Sequence, residues 1–393
     1  MRLARRAFLA SVMASAAGPV VLRLARAAAP QVTLKLHHFF SSVSSGHEKF
    51  LAPWARTVEA ESGGRIRIDI FPSMQLGGAP AQLFDQARDG VADIVWAVPS
   101  QTPGRFAKIE TFELPFLPSR RALVNSRAIE DYAAANLRDE FGEIHPICFS
   151  CRDHGVVHAR RAIRSIADLK GLRLHVLNRL TAESVQALGA RGVTVPIPQV
   201  PMALASHVID GCLDPWDVVP SLRLSDLLKF HTDFAESSLC TSTLVLAMNK
   251  ATYQRLPRDL KTVIDSNSGQ AAAGMAGAMW DLEAKAVADM VRERGQAVTM
   301  LTAEEVGHWR KATEPVIGTW LKQMKERKLN GGKLIANARA LLAKYANEPE
   351  PQPPQPQQPP QTRAEATAMP KVEAPAAVPA VKRAPPKELD IPM

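Results

Sequence analysis

The sequence predicts an α/β protein of two lobes joined by a long helix, and three observations support this prediction. Strands and helices alternate along the first part of the chain, which is typical of a parallel sheet with helices on both faces. The segment between two atypical ends, residues 30–347, is too long for a single hydrophobic core. Residues 266–295 are predicted to form one helix that is long enough to link the lobes.

The chain begins with a segment typical of an export signal. A basic start is followed by an apolar run at residues 7–22, and either Ala25-Arg26-Ala27 or Ala27-Ala28-Ala29 fits a cleavage site. Arg5-Arg6 also fits the twin-arginine route, so residues 1–29 are predicted to be a signal peptide of one kind or the other. The apolar run is shorter than the roughly 20 residues that cross a bilayer. We therefore expect a periplasmic protein with no membrane span of its own.

The other end of the chain differs from the body in composition. Thirteen of the 30 prolines follow Asn347, and residues 348–393, rich in Pro, Gln and Ala, are predicted to be a disordered tail. The formal charge of +9 includes five arginines in residues 1–29, which leaves +9 − 5 = +4 for the rest. This charge is mild and no basic run is interleaved with aromatic residues, so nucleic acid is not an expected partner.

The first lobe is predicted from short segments of clear periodicity. Residues 32–37 and 65–71 alternate apolar and polar side chains as strands do, and a helix at 45–62 lies between them. Further elements are a helix at 80–89, a strand at 92–96, a helix at 121–141 and a strand at 144–149. Ligands of such sheets bind at the carboxyl ends of the strands. Phe39, Gln75 and Trp96 are the candidates there.

The second lobe is predicted from residues 153–239 with 276–347, which leaves 30–152 with 240–275 for the first. Its predicted strands are 172–176 and 193–196, its helices are 181–188 and 201–207, and residues 211–216 are predicted to be a loop. The apolar segment 242–248 is expected to be a strand that returns the chain to the first lobe.

The cysteines and short motifs give little support for an enzyme. Cys148 and Cys151 have the spacing of a redox pair, but residues three apart on a strand face opposite sides, so we favour four buried free thiols. Adjacent His37 and His38 likewise face opposite sides of a strand, so no metal site is expected. The sequence has no nucleophile elbow, zinc-protease helix or phosphate loop. We expect no cofactor and no catalysis.

Several short sequence segments, taken in order, resemble the motifs of one protein family. The chain is similar to the extracytoplasmic solute-binding subunit (DctP) of tripartite ATP-independent periplasmic (TRAP) transporters. The segments are Phe71-Pro72-Ser73-Met74-Gln75-Leu76-Gly77, Gly90-Val91-Ala92-Asp93-Ile94, Glu113-Leu114-Pro115-Phe116, Asp168-Leu169-Lys170-Gly171-Leu172 and Val208-Ile209-Asp210-Gly211.

The resemblance implies a clamshell, the two-lobed periplasmic-binding-protein fold, that closes over a small organic acid. It also implies delivery of that acid to the small and large membrane subunits of a TRAP permease, without chemistry by the binding protein. Two other functions stay open from the sequence. One is a ligand-sensing input protein for a membrane receptor, and the other is an exported enzyme.

In that family an arginine at the end of the Lys-Gly-Leu strand pairs with the solute carboxylate, and here His175 stands in its place. Either His175 binds the anion with pH dependence, or Arg179 supplies the guanidinium from the start of a helix, where anions are favoured. Arg173 lies at the same strand. A second basic position of the family falls near His154.

Three further residues are candidates for the walls of the pocket. Trp96 and Trp216 could pack against the apolar body of a solute. Asp214 stands where the family has Asn, and it could accept a hydrogen bond from a hydroxyl of the solute or cap a turn before Pro215. The expected solute is an organic acid, with an apolar or aromatic body.

Overall fold

Two β-sheets carry the fold of this protein, whose computed structural model describes residues 29–235 and 238–349. The predicted signal peptide, apart from Ala29, and the predicted tail from residue 350 onward lie outside the described residues.

The first sheet has five strands in the order β2-β1-β3-β10-β4. β1 pairs in parallel with both β2 and β3, as the alternation of strands and helices predicts. β10 runs antiparallel between β3 and β4, so the predicted return of the chain to the first lobe is confirmed. Its strands are β1 (Val32–His38), β2 (Ile66–Phe71), β3 (Ile94–Ala97), β4 (Ile144–Cys151) and β10 (Thr243–Asn249).

The second sheet has six strands in the order β11-β9-β5-β8-β6-β7. They are β5 (Val156–Ala159), β6 (Arg173–His175), β7 (Arg191–Val193), β8 (Gly211–Asp214), β9 (Phe230–Asp233) and β11 (Ala297–Met300).

The loop predicted at 211–216 is wrong over its first four residues, because Gly211–Asp214 forms β8 near the centre of the second sheet. Gly, Asp and Pro are typical of turns, but pairing with β5 on one side and β6 on the other fixes this segment as a strand. The glycine is required by the close approach of β5, since a Cβ at Gly211 would collide with the carbonyl oxygen of His158.

Helices cover both sheets. They are α1 (Ala52–Glu61), α2 (Leu83–Arg88), α3 (Ala122–Asn136), α4 (Arg179–Ala187), α5 (Val200–Ala205), α6 (Val218–Ser221), α7 (Lys250–Arg255), α8 (Arg258–Ser266), α9 (Gln270–Glu293), α10 (Ala303–Glu326) and α11 (Gly331–Tyr345). A further helical turn, Gly46–Leu51, leads into α1.

The long helix α9 links the two lobes, as predicted. Ala273 and Trp280 in its first half pack into the core of the first sheet. Val287 and Val291 in its second half pack against Val156 of the second sheet. Within residues 29–235 and 238–349, none of the helices has the length and apolar character to cross a membrane.

The four cysteines are free thiols, and all four are buried. This confirms the interpretation favoured from the sequence. Burial holds the pKa of each thiol above its ordinary value, and it raises that of Cys240 to about 12. Because the thiolate is the reactive form, these side chains act as small apolar packing groups.

Candidate functional site

A large cleft lies where strands of both sheets end. Its volume is about 1380 Å³, and the residues that line it follow the carboxyl ends of the strands, as expected for parallel α/β sheets. From the first sheet these are Phe39 and Phe40 after β1, Ser73 and Met74 after β2, and Arg152 after β4. From the second sheet they are Val176 to Arg179 after β6, Thr194 to Pro198 after β7, and Asp217 and Val218 after β8.

Much of the cleft wall is apolar. Phe39 and Phe40 stack with their ring centroids 4.1 Å apart and their planes at 28°, which gives one wall a flat aromatic surface. The lining also includes aliphatic side chains from the second lobe, namely Val195, Pro196, Ile197, Val218 and Leu222. An apolar cleft with a few polar groups at fixed positions is the usual form of a binding site for a small molecule.

Arg152 is a buried arginine of the cleft lining. Only 2% of its surface is exposed, because it follows directly after β4 and lies between the two lobes. Its guanidinium carbon lies 5.5 Å from the ring centroid of Phe40 and 5.2 Å from that of Trp280, and Nη2 forms an ion pair with Asp217. Its Nε is buried without a hydrogen-bond acceptor among the described residues. A buried guanidinium with an unused donor is suited to a carboxylate.

His175 lines the cleft, as predicted, but both of its ring nitrogens face acceptors of the protein. Nδ1 lies 2.7 Å from Asp214 Oδ2, and Nε2 lies 3.1 Å from the carbonyl oxygen of Val195. Burial alone would lower the pKa of His175, but the Asp214 carboxylate outweighs that effect and the pKa is raised. The imidazolium form therefore donates both protons to the protein, which leaves none for a solute.

Arg179 also lines the cleft, at the start of α4. Its guanidinium is held between two acids, with Nη2 3.1 Å from Glu110 Oε2 and Nη1 2.8 Å from Glu183 Oε1. Two carboxylates around one guanidinium leave no net positive charge at this position.

The other six predicted site residues lie outside the cleft lining. Arg173 starts β6 at the end remote from the cleft and pairs with Asp210, Nη2 to Oδ1 at 2.8 Å. His154 is buried, with Nε2 2.7 Å from Asp233 Oδ1. Gln75 is exposed, although its neighbours Ser73 and Met74 line the cleft.

The remaining three are buried behind the walls. Trp96 stacks on Trp280 in the core of the first lobe, with centroids 6.1 Å apart and planes at 15°. Trp216 packs under the second half of α9. Asp214 binds His175 and does not line the cleft. Burial would raise the pKa of Asp214, but the charge of His175 and its hydrogen bond hold that pKa below the ordinary value. The indoles are therefore packing residues, and Asp214 fixes the histidine.

Sequence reasoning missed Arg152 and Asp217. The signal for Arg152 was available, since it is a basic residue directly after the buried apolar strand that ends at Cys151. The signal for Asp217 was weaker, because nothing in the local sequence shows that it faces Arg152. Ser73 and Met74 share a further mark of a functional segment, namely positive φ angles of 54° and 58° in residues other than glycine.

Two α/β lobes around a cleft at the carboxyl ends of their strands, with a buried guanidinium in its apolar wall, define a solute-binding protein of the clamshell type. Residues 37–323 match the bacterial extracellular solute-binding proteins of family 7, also called DctP, and the chain belongs to that family. It is a TRAP solute-binding protein, and the resemblance noted in the sequence is confirmed.

Solved structures of similar proteins support the same family assignment. A TRAP solute-binding protein from Rhodoferax ferrireducens with copurified benzoate is 39% identical, with a TM-score of 0.77 over 80% of this chain and 98% of that one. Another, from a marine metagenome, is specific for aromatic acid ligands and was crystallised with 3-hydroxybenzoate. It is 37% identical, with a TM-score of 0.78 over 81% of this chain and 99% of that one.

One sequence relative is described as the outer membrane transporter protein TsaT of Comamonas testosteroni. It is 24% identical over 320 residues, which cover 79% of this chain and 92% of that protein. The family and the similar structures are binding proteins rather than enzymes.

Proposed function

We propose that this protein captures an aromatic monocarboxylate in the periplasm and delivers it to the membrane subunits of a TRAP permease, without catalysing a reaction. The observation that carries the proposal is the buried Arg152 beside the stacked rings of Phe39 and Phe40. A guanidinium recognises a carboxylate, and a flat aromatic wall accommodates a ring. The ligands of the two similar structures, benzoate and 3-hydroxybenzoate, each consist of an aromatic ring that carries one carboxylate.

We further propose Arg152, rather than Arg179 or His175, as the carboxylate partner. Arg179 is partly exposed and both of its terminal nitrogens already donate to acids, and His175 donates both protons to the protein. Arg152 keeps a buried Nε without an acceptor in the described parts of the chain. The free energy gained by giving that donor a charged acceptor is larger than at a solvated arginine, because water does not compete there.

Titration calorimetry with benzoate tests this proposal, with benzamide as the neutral analogue. We expect the wild type to bind benzoate and to bind benzamide much more weakly. Truncating one partner of a buried charge pair costs about 2–5 kcal/mol, so Arg152→Met is expected to weaken benzoate binding by about 30-fold or more. Arg179→Met is the matched control, and we expect its effect to stay within about threefold.

Two outcomes would contradict the proposal. Binding of sugars or peptides but of no aromatic acid by the wild type would overturn the function. A greater loss of affinity in Arg179→Met than in Arg152→Met would overturn the assignment of the carboxylate partner. Circular dichroism checks that each variant is folded. Arg152→Lys, which keeps the charge but loses the planar fork, is expected to fall between wild type and Arg152→Met.

A further inference from the structure

Two buried carboxylates lie near the guanidinium that the proposed function assigns to the solute: Asp217 pairs with it, and Asp153 senses its charge without contacting it. Asp217 forms the ion pair with Arg152, lines the same cleft, and is 5% exposed. Asp153 is 1% exposed, and its Oδ2 accepts the backbone N–H of Trp216, the neighbour of Asp217, at 2.9 Å. Its Oδ1 is buried and has no donor among residues 29–235 and 238–349. With both acids ionised, this group of three side chains carries one negative charge.

The surrounding elements add three further carboxylates, together with basic groups that face them. On α9, the negative charge of Asp281 repels that of Asp153, and the negative charge of Glu283 repels that of Asp217. Glu283 is matched by Lys49, Nζ to Oε2 at 2.5 Å.

Asp281 caps α3 by accepting the N–H groups of Ala122 and Leu123, and burial raises its pKa to about 6. On β8, Asp214 also acts on Asp217, and His175 neutralises it. These five carboxylates face Arg152, His175 and Lys49, and Arg121 and His154 also act electrostatically on Asp281.

We propose that Asp153 and Asp217 form a proton-binding site that is occupied when a carboxylate solute binds to Arg152, so that the solute binds together with one proton. This inference rests on the proposed function. A solute carboxylate that approaches Arg152 would otherwise meet an excess of negative charge in a region sheltered from water, where repulsion between like charges is strong. One proton on the pair removes that excess and releases Arg152 from Asp217.

The electrostatic environment of the pair supports this inference. Burial, together with the mutual repulsion of the two carboxylates, raises the pKa of Asp153 well above its ordinary value, and burial raises that of Asp217 as well. The proton belongs to the pair rather than to either residue. Because the solute carboxylate favours the protonated pair, binding is tight at acidic pH and weakens as the pair loses its proton at alkaline pH.

The test is the dissociation constant of benzoate measured between about pH 5 and 9, where benzoate itself stays ionised. In the wild type we expect the constant to rise by about tenfold per pH unit along the alkaline limb, the slope of one linked proton. Asp217→Asn, which keeps one member of the pair neutral, is expected to bind with the acid-limit affinity and to show no alkaline limb. Asp139→Asn, which removes an exposed carboxylate outside the cleft lining, is the control and should keep the wild-type profile.

The outcomes separate this inference from the proposed function. Absence of benzoate binding at every pH contradicts the proposed function. Tight binding with a flat profile in the wild type overturns the proton site. An alkaline limb that persists in Asp217→Asn also overturns it, because the linked proton would then lie elsewhere, for example on His175. If Asp217→Asn does not fold, Asp153→Asn gives the same comparison.

Discussion

Gly277 lies where α9 packs on α3, and we expect Gly277→Ala to destabilise the protein by about 2 kcal/mol. A Cβ at this position would lie 2.6 Å from Leu123 Cα, 2.8 Å from the carbonyl oxygen of Ala122 and 2.9 Å from Ser126 Oγ. Two of these atoms belong to the backbone of α3, which cannot rotate away. Since carbon atoms pack at about 3.5–4.0 Å, the helices would have to separate by roughly 1 Å.

The expected magnitude combines two effects. Overpacking of a tight contact costs about 1–3 kcal/mol, and the rigid backbone atoms place this site at the upper end. Alanine is favoured over glycine in a helix by about 1 kcal/mol, which offsets part of that cost. Gly318→Ala is the matched control, because Gly318 is an exposed glycine within α10 and a Cβ there meets no atom within 4 Å. We expect it to stabilise the protein by about 1 kcal/mol.

Urea unfolding followed by circular dichroism measures both free energies of unfolding. The two variants should differ by about 3 kcal/mol, with opposite signs relative to the wild type. If Gly277→Ala is as stable as Gly318→Ala, the close approach of α3 and α9 is not a constraint, and the reasoning fails. Comparison with thermal unfolding shows whether the two lobes unfold together.

Two other predictions concern ionisable groups. Burial would raise the pKa of Asp233, but His154 and Arg120 outweigh it and hold the pKa well below its ordinary value. Stability from this carboxylate is therefore present above about pH 4 and lost as the pH falls below that. We expect Asp233→Asn to be less stable than wild type at neutral pH and nearly equal to it at low pH, measured by urea unfolding. The four buried thiols should not react with a thiol reagent in the native protein and should all react in urea; rapid labelling of the native protein would contradict their burial.

The strands and helices with strong apolar patterns could be predicted from the sequence. The strand predicted at 32–37 is observed at Val32–His38, and the strand predicted at 242–248 is observed at Thr243–Asn249. Both could be predicted because apolar side chains fill their buried positions. Gly211–Asp214 could not be predicted in this way, since its conformation comes from two partner strands rather than from its own residues.

The site was predicted in part. The rule that ligands bind at the carboxyl ends of strands identified Phe39, His175 and Arg179, which all line the cleft. The rule does not show which basic residue is buried, or with which acids it pairs. Those facts depend on residues distant in sequence, such as Trp280 over Arg152 and Glu110 beside Arg179.

The central place of β10 in the first sheet has a consequence for the order in which the protein can fold. β3 and β4 are made early, but both of their inner edges pair with β10, which follows nearly one hundred residues after β4. While the chain is being synthesised, one edge of β3 and one edge of β4 stay unpaired until β10 is made, which happens only after the strands β5 to β9 of the second sheet. Unpaired edges invite association with other chains, and distant pairing slows folding. A nascent chain that stops short of Thr243 is therefore the form of this protein that most needs a chaperone.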